Sequence, residues 1–288
     1  MKIFYLVGLV LIVWVVISCV SNLVEGYNNK YVNIDFPVEK INLKFINNNI
    51  VKEIKYCTNK ENKFKKLVLE LIKNKDIKNN IIDCGAYYGD NSLPWAKIYN
   101  GIIYAFEPSV IKCKYIEEIS KLNDIDNLKI INYGLSDKNE SININNINSH
   151  NNNYIEIKKS KYDSSIKEKF IKLDELYLDN IVNNVDFMHF DVEGYEDKVL
   201  IGSKKIIKDL NPIITVEIHP HYPEMGDSIS ILKILNDYNY KCFIINEICG
   251  TISTCRNLIC IHRDRKLNTN INDLTEVNYN NVNDLIKK

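Results

Sequence analysis

Arginine is almost missing from this chain: among 288 residues only Arg256, Arg263 and Arg265 occur. Charge of one sign is not in excess either, because 37 Lys+Arg balance 37 Asp+Glu. A basic stripe able to grip phosphate backbones is therefore not expected, and nucleic acid is set aside as a partner. Glycine (10) and proline (6) are scarce, which excludes collagen-like repeats and low-complexity linkers. What remains is a globular composition, 45% hydrophobic and 26% charged, in a chain long enough to bury a sizeable core. The excess is in asparagine, about 40 residues, several-fold its ordinary share. This reads as coding bias, so a single Asn or Lys carries little weight.

The one long apolar run lies at the start. Ile3 to Val20 holds no charge. It is about as long as the shortest membrane spans and longer than the roughly 7–15 residues of a signal-peptide core. An uncleaved signal anchor over residues 1–22 is expected, with a signal cleaved after Ser21 as the alternative. Lys2 and the amino group precede the run, which favours a cytosolic tip and a lumenal or extracellular main domain, secreted if the run is cleaved. Residues 23–55 read as a polar stalk. Seven of the eight cysteines lie beyond the run, and Cys249, Cys255 and Cys260 cluster without a zinc-site spacing. Buried free thiols are expected there, one disulfide within the cluster being the alternative.

From residue 56 to 265 the pattern alternates between strands and helices. Phe64, Val68, Leu69 and Ile72 share a helical stripe over 61–73. Strands are expected at 80–84, 102–106, 128–133, 185–191, 212–218, 241–246 and 257–262. Helices are expected at 92–99, from an N-cap at Ser109 to 122, at 173–180, 195–210 and 228–238. The Asn-rich stretch 143–153 reads as a loop flanked by short strands at 141–145 and 154–158. Residues 266–288 read as a frayed polar tail. Alternation of this kind implies an α/β fold: a doubly wound, mostly parallel, seven-stranded sheet with helices on both faces.

Ligands in such sheets bind beyond the carboxyl ends of the strands, so the residues that follow each strand carry the chemistry. The first strand runs into Asp83-Cys84-Gly85-Ala86-Tyr87-Tyr88-Gly89-Asp90. Gly85 and Gly89 allow a tight turn and a close backbone approach. Tyr87 stands where a dinucleotide fingerprint has its second glycine, and no Gly-Lys-Ser/Thr follows to cradle phosphates. The second strand ends in Glu107-Pro108, where a carboxylate can accept from both hydroxyls of a ribose. Gly134-Leu135-Ser136-Asp137 could line an adenine pocket. Later strands end in Asp191-Val192-Glu193-Gly194-Tyr195-Glu196 and in Glu217-Ile218-His219-Pro220-His221. Asp83, Glu107, Asp191 and Glu217 make an acidic rim. It suits S-adenosylmethionine, which carries a ribose, an ammonium group and a sulfonium cation.

The blocks IIDCGAYYGDNS, YAFEPS, GLSD, DFMHFDVEGYEDKVLIGS and NPIITVEIH resemble, in order and spacing, those of the FkbM family of methyltransferases. The resemblance covers about Ile81 to His219. It implies a class I, Rossmann-like fold over 56–265 and S-adenosylmethionine as cofactor. It also implies methylation of a hydroxyl oxygen on a glycan or small molecule. By the same resemblance Asp83, Gly85, Ala86, Tyr87 and Gly89 form the cofactor turn, with Asp90 and Ser92 near the methionine end. Glu107 and Pro108 hold the ribose, Asp137 lies near adenine, and Asp191, Glu193 and Gly194 floor the reaction centre. The family usually has Lys two residues before the strand-end Asp; here that position is His189.

Each residue also has a structural reading. Glu107 could satisfy backbone donors at a helix start, and Asp191 could cap the following helix. Glu196 and Asp197 read as favourable first-turn charges, and His189 as a satisfied strand histidine. His219 is either the general base, since imidazole titrates near neutrality, or a structural residue beside Pro220. No metal is expected, because His150, His219 and His221 have no ligand spacing. The rival to catalysis by Asp191 and His219 is a membrane-anchored, non-catalytic module that keeps the methyltransferase shape for binding or scaffolding.

Overall fold

Apolar strands that end in acidic residues build a sheet with one polar edge. The computed structural model describes residues 30–144, 166–222, 227–249 and 253–286. In chain order it contains β1 (Tyr31–Phe36), β2 (Ile41–Ile46), α1 (Ile50–Thr58), α2 (Asn62–Lys73), β3 (Asn80–Cys84), α3 (Ser92–Ile98), β4 (Ile103–Phe106) and α4 (Val110–Leu122). There follow β5 (Leu128–Ile131), β6 (Gly134–Leu135), β7 (Glu140–Ile144), β8 (Ile166–Ile171), α5 (Leu173–Leu178), β9 (Val185–Phe190), α6 (Glu196–Gly202) and α7 (Lys204–Leu210). The chain closes with β10 (Ile213–Ile218), α8 (Ser228–Asp237), β11 (Tyr240–Ile244), β12 (Arg256–His262), β13 (Thr275–Val277) and α9 (Val282–Leu285).

The main sheet has the order β13-β11-β12-β10-β9-β3-β4-β5. Strands β10, β9, β3, β4 and β5 are parallel, and β12 runs antiparallel to both neighbours. From the β3/β9 pair the chain winds outward both ways, which makes the carboxyl ends of these two strands the switch point where doubly wound sheets bind ligands. The sheet has eight strands, not seven. Strand β13 adds to the free edge of β11; with three residues it is too short to show an alternating pattern.

The period of two sorts side chains onto two faces. One face buries Ile82, Tyr104, Met188, Ile214 and Leu258 under α5–α8. The other buries Ile81, Ile103, Phe187, Ile213 and Ile259 under α2, α3, α4 and the N-terminal hairpin.

Two expectations about the ends of the domain are corrected. Residues 31–58 are not a stalk: Ile34, Phe36, Leu43, Phe45, Val51 and Ile54 are buried in the second core. Polar residues between these positions hid a hairpin whose inward face alternates strictly. Asn123 fixes it to α4, accepting from Lys44 N at 2.7 Å and donating to Lys44 O at 2.7 Å. The C-terminal segment is docked as well. Asp76 accepts from Asn268 N at 2.7 Å and Thr269 N at 2.9 Å, and His221 Nε2 bonds Ile286 O at 2.8 Å.

The helix expected over 195–210 is two helices broken at Ser203. The Ser203 hydroxyl donates to Val199 O at 2.6 Å and competes with the backbone ladder. Gly202 sits against Ser136 O, where a Cβ would collide. Beside the main sheet, β6, β8 and β7 form a small one, and β8 has no counterpart in the sequence reading. The strand expected at 154–158, the proposed anchor and His150 lie outside the described residues. Among the described residues no helix is long and apolar enough to cross a membrane.

Candidate active site

Asp83, Glu107, Asp191, Glu217 and Asn257 occupy positions of one parity, on the face covered by α2. Asp83 pairs with His189 in the β3/β9 ladder, and Glu217 lies directly opposite Asn257 between β10 and β12. The rim therefore forms at one end of one face, and it divides into two halves.

In the first half each carboxylate is met by donors from its own neighbourhood. The turn after β3 is tied down by Gly85 N and Ala86 N donating to Phe106 O, and by Gly89 N donating to Ala86 O. Gly85 has φ +90 and Gly89 φ +82, and a Cβ on Gly85 would run into the Asp191 carbonyl. Tyr87 tolerates φ 49; its backbone N donates to Glu107 Oε2 at 3.0 Å while its hydroxyl reaches Glu53 of α1. Ser109 N donates to Glu107 Oε1 at 3.0 Å, and Lys112 Nζ stands 3.8 Å from the same oxygen.

Glu107 thus does what the structural reading expected at a helix start, yet its carboxylate is held rigid with lone pairs to spare. Burial raises its pKa, and Lys112 and the two backbone donors oppose the rise. Pro108 O accepts from Asn132 Nδ2 at 2.7 Å. Asp137 is half-buried and accepts from Ser136 Oγ at 3.2 Å.

Ser92 is buried and its hydroxyl donates to Asp83, so these two residues satisfy each other inside the fold. Burial pushes Asp83 up to about 7. Asp90 keeps part of its surface open, and burial raises it too, against the pull of the Lys65 ammonium.

In the second half the carboxylates face one another. Oxygens of Asp191, Glu196 and Glu217 lie within 4.8 Å of each other, and Glu61 is that close to Glu217. Burial and then Glu217 push the Asp191 carboxyl well above its usual range; burial and then Glu193 do the same for Glu217, which is hydrogen-bonded to Asp191. Asp191 does not cap α6. No side chain caps that helix; Glu196, its first residue, instead accepts from Val192 N at 2.9 Å and from Gly194 N at 3.1 Å in the preceding loop. It thereby braces a loop in which Glu193 (φ 54) and Gly194 (φ 100) are left-handed. Burial raises Glu196 to about 7, so it is more than a first-turn charge; Asp197 accepts locally, from Lys198 N at 2.8 Å.

His219 is buried with Nε2 2.9 Å from Glu217 Oε2, and its Nδ1 has no partner. The Glu217 contact orients the ring through Nε2 and leaves Nδ1 as the nitrogen free to exchange a proton with a ligand. Burial lowers its pKa, opposed by Glu196 and Glu193. His189 is a satisfied core residue, buried rather than half-buried. It bonds Thr215 Oγ1 at 3.0 Å and stacks on Phe64 at 4.7 Å, and burial drives its pKa down to about 3.

Two contributors to this half, Glu61 and Glu247, carried no signal in the sequence. Glu61 stands at the start of α2 with φ 55, and burial raises it to about 7. Glu247, far along the chain, accepts from Lys63 N at 2.7 Å and Phe64 N at 3.2 Å and so fixes that helix end. Cys249 and Cys255 form a disulfide, the alternative reading of the cysteine cluster in place of free thiols throughout, while Cys260 is free and buried. The Cys255 sulfur lies 2.8 Å from Glu217 Oε1; in a disulfide it has no proton, so it packs against the carboxylate without donating to it.

A model of the methyltransferase FkbM domain matches residues 83–242, more than half of the chain. The chain belongs to the FkbM methyltransferase family. A comparison with curated proteins finds no match. Among solved structures the chain is similar to the methyltransferase FkbM of Methylobacillus flagellatus KT, with 14% identity and TM-score 0.43 over 63% of this chain and 43% of that one. The present chain thus spans less than half the length of that enzyme. It is also similar to magnesium protoporphyrin IX methyltransferase of Synechocystis PCC 6803, solved with bound SAM, with 11% identity and TM-score 0.43 over 75% of this chain and 84% of that one. A third is an O-methyltransferase of Bacillus cereus in complex with SAH, with 9% identity and TM-score 0.41 over 70% and 80%.

Proposed function

We propose that this FkbM-family methyltransferase uses S-adenosylmethionine to methylate a hydroxyl oxygen of a glycan or small molecule. The observation that carries the reading is Glu107: its carboxylate is fixed by Tyr87 N and Ser109 N at the end of β4, beside the Gly85–Gly89 turn. Two oriented acceptor oxygens match the two hydroxyls of a ribose. The glycine turn offers a surface without side chains on which the rest of the nucleoside can lie. Bound there, the cofactor supplies an electrophilic methyl group.

The chain's own residues act on the acceptor. Asp191 and Glu217 hold and orient the hydroxyl, and the sheet and α2 exclude water from around it. His219, oriented through Nε2 by Glu217, takes the hydroxyl proton at Nδ1. Orientation supplies most of the acceleration, and removal of the proton adds about 10²–10⁴-fold. We place the domain on the lumenal or outer side of a membrane, behind the apolar run at 3–20.

Calorimetric titration of the full chain with S-adenosylmethionine tests the reading, with Glu107→Ala as control. Micromolar binding that the variant loses is the expected result. A folded protein that does not bind would overturn the reading in favour of a non-catalytic module of methyltransferase shape. His219→Ala is expected to lower turnover by the same 10²–10⁴-fold while cofactor affinity stays unchanged. Equal loss of both would remove His219 from the acceptor side.

A further inference from the structure

The acceptor half of the rim gathers more carboxyl groups than its surroundings meet with donors or cations. Among the described residues no Lys or Arg forms an ion pair with Glu61, Asp191, Glu196 or Glu217. The Lys65 ammonium, which eases Glu61, is held by Cys57 O at 2.5 Å and Lys60 O at 3.0 Å. Glu196 is engaged by the backbone of its own loop. Cys249 and Cys255 are joined and offer no thiolate. Glu217 Oε2 keeps His219 Nε2 at 2.9 Å and Glu61 Oε1 keeps Asn257 Nδ2 at 3.0 Å, and the lone pairs left for a ligand are the remaining ones on Glu61, Asp191 and Glu217. The oxygens of Asp191 and of Glu61 each lie within 4.8 Å of one on Glu217. Oxygens on opposite sides of one ion are about 4.2 Å apart for Mg2+ and about 4.6–5.2 Å for Ca2+, so each of these two carboxylates can share an ion with Glu217, and an ion held by all three draws the Asp191 and Glu61 side chains towards each other.

A second observation is independent of the acids. Asn257 is 4% exposed, and its side-chain carbonyl Oδ1 has no partner. The same amide donates through Nδ2 to Glu61 Oε1 at 3.0 Å and lies directly across the ladder from Glu217. A buried carbonyl left without a donor costs about 1–3 kcal/mol. The two carboxyl groups beside this residue, Glu61 and Glu217, are acceptors too, and a cation among them would satisfy all three. Glu61 and Asp191 each keep part of their surface open, which leaves an entry path.

We propose that Glu61, Asp191, Glu217 and the Asn257 carbonyl form a binding site for one hard divalent cation of the Mg2+ or Mn2+ class. All four donors are oxygen, the set these ions prefer. The ion joins strands β9, β10 and β12 to the start of α2. On its solvent side it keeps positions for water or for an acceptor hydroxyl, whose proton it would make easier to remove. That last role rests on the methyl transfer proposed above; the site itself does not.

The test is titration of the chelator-treated full chain with Mn2+ alone, without cofactor or acceptor, followed by calorimetry and by the magnetic resonance signal of free Mn2+. One ion per chain is expected. Asp191→Asn and Glu217→Gln should each weaken binding at least tenfold. Asn257→Asp should tighten it severalfold, a gain that misfolding cannot produce. Glu276→Gln, on the exposed edge strand β13, should leave it unchanged. No binding to the folded protein, or binding indifferent to all three site substitutions, overturns the proposal. S-adenosylmethionine binding measured on the same samples separates the two readings. Cofactor binding without Mn2+ binding overturns the cation site alone, and the reverse overturns the methyl transfer alone.

Discussion

The two halves of the rim solve the same problem, a buried carboxylate, in opposite ways. Around β3 and β4, Asp83 is met by Ser92, and Glu107 by Tyr87 N and Ser109 N. Every donor lies within about twenty residues of its acceptor, and the acids serve the fold whether or not a ligand is present. Around β9, β10 and β12, Asp191 and Glu217 meet each other, Glu61 meets an amide that has its own unpaired oxygen, and His219 has a free nitrogen. Groups left in that state lower stability, and the proposed acceptor chemistry would account for their persistence.

Substitutions can break this contrast or sharpen it, and the largest effect is expected at the border between the halves. His189 is packed between Phe64 and Trp95 and bonded to Thr215. His189→Lys restores the residue usual in the family but buries a second ammonium near Lys65. A loss of about 3–5 kcal/mol in denaturant unfolding is expected, as for an unpaired buried charge. A neutral outcome would mean that this position opens to the rim.

Next comes Glu107→Ala, which strands two backbone donors as well as removing the proposed ribose acceptor. Hydrogen bonds to a charged group contribute about 1.5–3 kcal/mol each, so both stability and cofactor affinity should fall measurably. Glu217→Gln should do the reverse to stability. Removing one of several facing acids is expected to raise the thermal midpoint, by the equivalent of about 1 kcal/mol, while turnover falls. If Glu217→Gln destabilises the protein as Glu107→Ala does, the contrast between the halves is wrong.

The smallest effect is expected at Asp83, and it depends on pH. Its folded pKa is raised to about 7 by burial, so the native state keeps a proton that the unfolded chain releases near pH 4. The stability tied to that proton is complete below about pH 4 and is lost as pH rises through about 7. Asp83→Asn should flatten the stability profile across that window. An unchanged profile would show that Asp83 is ionised in the native protein.

Much of the cofactor half was legible in the sequence because its chemistry is local. The Asp83–Gly89 turn, the Glu107-Pro108 pair and the strands that carry them are contiguous patterns, and the helix over 61–73 appears within one residue of its place. The acceptor half was legible only in its members on strand ends, Asp191, Glu217 and His219. Glu61 precedes an ordinary amphipathic helix, and Asn257 is one asparagine among about 40, far above the usual share. The hairpin at 31–46 was missed because it has to be seen against the sheet to show that its alternate residues are buried.

Taken alone, the sequence determined the succession of main-sheet strands from β3 to β12, the turn chemistry after β3 and the parity that points each strand-end acid to one face. These follow from periods and dihedral preferences within a few residues. Only the tertiary structure decided which acids stand together, that Asn257 lies beside Glu61 and Glu217, that Cys249 pairs with Cys255, and that both ends of the domain are packed into it. Adjacency of strands distant along the chain depends on how the whole apolar surface is buried, and no local pattern carries that information.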